Sequence, residues 1–82
     1  MNPSYSSLAA YLAHWRALKA EAALSAKDAA TLAQMDAAIE EILGSDAPHL
    51  NQDSANSASR RHRDRAEAKL RRELIARGAI TG

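Results

Sequence analysis

Large apolar residues recur along this chain at helical intervals, in three blocks separated by polar stretches. In the first block Leu8, Tyr11, Leu12, Trp15 and Leu18 keep to one helical face, with Ala22 prolonging it and Tyr5 at its edge. In the second, Leu32, Met35, Ile39 and Ile42 follow at steps of three, four and three, the spacing of a coiled-coil seam. The third is sparser: Ala66, Leu70 and Leu74 lie at steps of four, and Arg61, Arg65, Lys69 and Arg72 form a cationic strip on the far side. These stripes predict helices over about residues 4–23, 26–43 and 54–77, with a linker over 44–57. The expected architecture is all-α: an αα-hairpin followed by a long C-terminal amphipathic helix, a three-helix arrangement in a single small domain.

Punctuation agrees with the stripes. Pro3 and Ser4 suit the entry to the first helix. Ser25 with Asp28 three residues on resembles a capping box, Leu24 could staple against Ala29, and Gly44 can stop the second helix. Residues 44–57, GSDAPHLNQDSANS, gather turn formers around one large apolar residue, Leu50. The candidate caps of the third helix are Asp53, Ser54, Ser57 and Ser59. A start at Ser59 would set Arg60, Arg61 and Arg63 in a first turn that disfavours cations, so a start near Asp53 or Ser54 is expected, with Gly78 as the stop.

Composition thins this picture. Twenty of the residues are alanine, while Phe and Cys are absent, so large core-forming side chains are few. A chain of 82 residues with so slight a core is expected to be completed by oligomerisation, as a homo-oligomer. Ala9, Ala13, Ala17 and Ala20 line the reverse of the first helix, and Ala26, Ala30, Ala33 and Ala37 that of the second. They are either exposed helix formers or a second packing face. Lys19 falls inside the first stripe, either snorkelling at the edge of the core or pairing with an acid such as Asp36. The first nineteen residues carry neither a basic leader nor a long apolar run, so no membrane association and a cytoplasmic location are expected.

Charge is nearly balanced overall at +1, yet Ser57 to Arg77 holds eight basic residues against three acidic ones. Arg60 can pair with Asp64, Glu67 with Arg63 and Arg71, and Glu73 with Lys69 and Arg77, all at i±4. Arg61, Arg65 and Arg72 have no such neighbour. Positive charge is therefore expected to stay available on the Arg61, Arg65, Lys69, Arg72 strip, for an acidic protein surface or for the phosphates of a nucleic acid. From Asn56 to Ala66 the sequence resembles the basic region of leucine-zipper transcription factors over about eleven residues. That family's base-reading Asn would fall on Ala55 and its small Ser on His62, and no leucine heptads follow.

Catalytic and metal chemistry find little footing. His14, His49 and His62 have no second histidine at ligand spacing, and Asp46 with His49 supplies two ligands where structural zinc takes four. Glu40 and Glu41 are adjacent and diverge on a helix. Trp15, Tyr11 and Tyr5 suit core packing better than a base-stacking platform. No catalytic residue, metal or cofactor is expected. The chain reads as a non-enzymatic assembly module: its seam, Leu32, Met35, Ile39 and Ile42, joins helices while its basic face meets a partner. The alternative is a nucleic-acid-binding protein using the same face.

Overall fold

A computed structural model describes residues 4–51 and 57–81 of the chain. The fold is all-α: α1 (Leu8–Ala20), α2 (Ala26–Leu43), a 3-10 helix (Gly44–Asn51) and α3 (Ser57–Ala76). α1 packs on α2, α2 on α3, and α3 on the 3-10 helix.

α1 is shorter at both ends than its apolar stripe predicts. Ser7, rather than Ser4, caps it, its hydroxyl accepting from the Ala10 amide at 3.1 Å. Tyr5 stays outside the helix because its backbone bonds elsewhere. Its N–H donates to Ala79 O and its carbonyl accepts from the Thr81 amide, both at 2.9 Å, in an isolated parallel bridge with Ile80. Pro3 lies outside the described residues. At the other end Glu21 turns extended, its N–H reaching back to Leu18 O, so Ala22 leaves the stripe and is exposed. Leu24 then folds in against the core.

α2 follows its sequence signals closely. The Ser25 hydroxyl accepts from the Asp28 amide at 3.1 Å, and Gly44 ends the helix at φ 55°, a conformation that a side chain would strain. Ala29, the expected staple partner of Leu24, is exposed.

The linker predicted over 44–57 is corrected by the 3-10 helix, which contains Pro48 and delivers Leu50 into the core at 1% exposure. An Arg16 Nη donates to the Leu50 carbonyl at 3.1 Å, tying this segment to α1. The starts predicted at Asp53 and Ser54 lie outside the described residues. α3 is already helical at Ser57, so Ser59 is inside it and is not its cap.

α3 ends in a Schellman motif around Gly78, at φ 77°. The Ala79 amide donates to Leu74 O at 2.9 Å and the Gly78 amide to Ile75 O at 3.0 Å. The motif turns Ile80 inward, where it is 2% exposed.

The core joins these pieces. Leu8, Tyr11, Leu12, Trp15 and Leu18 come from α1, and Met35, Ile39, Ile42 and Leu43 from α2. Leu50 comes from the 3-10 helix, Ala66, Leu70 and Leu74 from α3, and Ile80 from the final turn. Leu32, expected in the seam, is half-buried at the rim. The alanines on the reverse faces of α1 and α2 are all exposed. Leu50→Ala and Ile80→Ala should each lower unfolding free energy by about 2–4 kcal/mol in urea titrations. Ile75→Ala, at a site 39% exposed, should cost under about 1 kcal/mol.

Candidate functional site

Ala66, Leu70 and Leu74 face the core, so the helical repeat turns residues near half a turn away from them outward. Arg61, Arg65 and Arg72 lie on that outer face, with Lys69 at its edge about 100° round from Leu70, and all four are exposed. They span about 16 Å along α3 at 1.5 Å per residue. Among the described residues none of the four takes part in an ion pair. At about 100° per residue, Asp64 and Glu73 project to the flanks of the strip and Glu67 toward the core side, while the small Ala76 lies within the strip and Ala68 borders it.

Two other cations, Arg77 and Arg63, are engaged differently from the predicted i±4 pairs. Arg77, expected beside Glu73, reaches across to Glu41 of α2 at 3.3 Å. Arg63 leans inward on α3, 3.9 Å from Asp64, with its Nε buried and without a hydrogen bond among the described residues. Its position close to the Leu70 meridian accounts for the difference: a side chain there is drawn over the core and away from Glu67.

The aromatic residues serve packing. Trp15 is 3% exposed, and its indole N–H donates to Asp36 Oδ1 at 2.7 Å. The Lys19 ammonium sits 4.3 Å from the Trp15 ring centre. Asp36 thus pairs with Trp15, while Lys19 covers the ring from the edge of the core. The Tyr5 hydroxyl and His14 Nδ1 share a 2.6 Å hydrogen bond, and the Tyr5 ring stands edge-on to Tyr11 at 5.2 Å.

His49 and His62 stack at 4.9 Å, with Asp46 3.7 Å from His49. This contact docks the 3-10 helix on α3. Among the described residues no group of three or more His, Cys, Asp or Glu side chains is arranged to hold a metal ion. No described helix is long and apolar enough to cross a membrane. Compared with protein-family models, curated proteins and solved structures, the chain finds no match.

Sequence reasoning missed Leu43 and Ile80 as core residues and placed Leu50 in a linker. Leu43 lies one residue beyond the Ile39 and Ile42 stripe, and an apolar residue just after a helix-stopping glycine was the available signal for Ile80.

Burial pushes the Tyr11 phenol up to about 12, with Tyr5 adding to the shift, Arg77 opposing it and Asp36 adding a little more. Tyr5 is also raised by burial. An unfolded phenol loses its proton near pH 10, whereas folded Tyr11 keeps it to about 12. The stability linked to neutral Tyr11 is therefore complete below pH 10 and is lost as pH rises toward 12. Unfolding free energy should fall by roughly 2 kcal/mol more over that interval in the native chain than in Tyr11→Phe, measured by denaturant titration at each pH.

Proposed function

We propose that this chain is a non-enzymatic interaction module that presents the outer face of α3 to a polyanionic partner, and that a nucleic-acid backbone is that partner. One observation carries the reading: four exposed cations, Arg61, Arg65, Lys69 and Arg72, share one helical face without an ion pair among the described residues. Unpaired like charges at i and i+4 repel, so a solvated face that served only stability would be expected to intersperse acids. The alanines within and beside the strip support close approach to a smooth, regularly charged surface, and phosphate contacts need no base-reading side chain.

Self-association through the predicted seam draws less support. Met35, Ile39 and Ile42 are buried within one chain and Leu32 is half-buried. Ile75 is the one large apolar residue exposed among those described.

Binding to a labelled mixed-sequence duplex should be measurable at low salt, with log K falling against log[salt] at a slope of roughly −3 to −4 for four phosphate contacts. Reversing Arg61, Arg65 and Arg72 to Glu should abolish it while leaving helicity unchanged. No binding at low salt, or binding indifferent to the reversal, would overturn the nucleic-acid reading. Capture of an acidic polypeptide in place of DNA would assign the face to a protein.

A further inference from the structure

A half-open cleft of about 370 Å³, none of whose lining residues belongs to the basic strip, is bounded by Tyr5 and Tyr11, the middle of α2 and the turn after α3. Its size falls within the range of small-molecule sites, roughly 300–1,000 Å³. Met35 and Leu74 give it an apolar surface, and the rings of Tyr5 and Tyr11 stand at 83° to each other along it. Gln34 and Arg77 bring polar groups to the lining.

Two hydrogen-bond donors there are incompletely used. The Tyr11 side chain is largely buried, and its hydroxyl, which is not shut away from solvent, has no hydrogen bond among the described residues, whereas the neighbouring Tyr5 hydroxyl is bound to His14. Arg77 gives a single Nη to Glu41, at 3.3 Å, and that carboxylate is 69% exposed. Its remaining N–H groups are available, and its positive field reaches the Tyr11 phenol. A buried phenol beside a partly engaged guanidinium, over an apolar surface, complements a ligand with one anionic end and an apolar body. A dianion is disfavoured by Glu41 and by the presence of one cation, and an inorganic anion would leave the apolar wall uncovered.

We propose that this cleft binds a small monocarboxylate with an aromatic or aliphatic body. The carboxylate accepts from Arg77 and the Tyr11 hydroxyl, while the body lies against Met35, Leu74 and the tyrosine rings. The site is independent of the α3 outer face, and neither reading stands or falls with the other.

Amide NMR titration of the full chain with sodium phenylacetate tests the proposal, with phenylacetamide as the uncharged match. Phenylacetate should shift the amides of Tyr11, Gln34 and Ala79 saturably, at roughly millimolar affinity for so few atoms. Phenylacetamide should bind about tenfold more weakly, as expected when a charge-assisted contact is lost. Arg77→Gln should weaken phenylacetate by about tenfold and Tyr11→Phe by severalfold, with Arg77→Lys intermediate and helicity unchanged in all three. Absence of saturable shifts, equal binding of the amide, or shifts confined to Arg61, Arg65 and Arg72 would each overturn it. So would full retention of affinity in both the glutamine and the phenylalanine variant.

Discussion

The row Ala66, Leu70, Leu74 fixes how α3 is rotated against the rest of the chain, and almost everything outside it follows from that rotation. Leu70 is fully buried and Leu74 nearly so; with Leu50 and Ile80 they are the largest side chains shut away from solvent. Two of those four come from outside the α-helices. The centre of the core therefore depends on a 3-10 helix and a post-helical turn delivering one aliphatic residue each. With the inner row committed, the helical repeat leaves Arg61, Arg65 and Arg72 no direction but outward and sets Lys69 at the edge of the same face. The same rotation carries Arg77, one turn beyond, toward α2 and Glu41.

A core this lean places its aromatic residues where their polar atoms can be satisfied at the rim. The indole N–H of Trp15 meets Asp36 and the Tyr5 hydroxyl meets His14, so burying the rings does not strand their donors. The Tyr11 hydroxyl has no such partner among the described residues, and Tyr11 lines a cleft instead. The two ends of the described chain meet nearby, through the Tyr5 bridge to Ile80. That bridge positions the Tyr5 ring against Tyr11 and shapes one wall of the cleft. Local packing and candidate binding geometry thus share the same few residues.

Periodic signals made most of this legible beforehand. The stripes of α1, α2 and α3, the Ser25 cap and the Gly44 stop each rest on repeated spacing or on a local cap, which a sequence displays directly. Leu50 and Ile80 have no periodic neighbours, and their burial follows from tertiary fit. The limits of α1 were hidden for a related reason. Ser4 and Ser7 are equally good caps locally, and Tyr5 is held out of the helix by Ala79 and Thr81, more than seventy positions away. The outer strip was readable because exposure on a helix follows from periodicity once the inner row is known. The cleft was not, since its lining residues come from separate segments of the chain.

The energetics of α3 join these observations. Like charges at i and i+4 cost a few tenths of a kcal/mol per pair, so the run Arg61, Arg65, Lys69 opposes helix formation locally. Burial of Leu70 and Leu74, each worth about 1.5–3 kcal/mol, exceeds that cost, and the Arg77–Glu41 contact adds tertiary anchoring at the far end. Tertiary packing thus holds in helical form a face whose own electrostatics disfavour it. A polyanion laid along that face would remove the repulsion without asking the inner row to move. The helix is in this sense organised in advance of the polyanion proposed for it, and the ordering that a free basic segment would undergo on binding is already supplied by the fold.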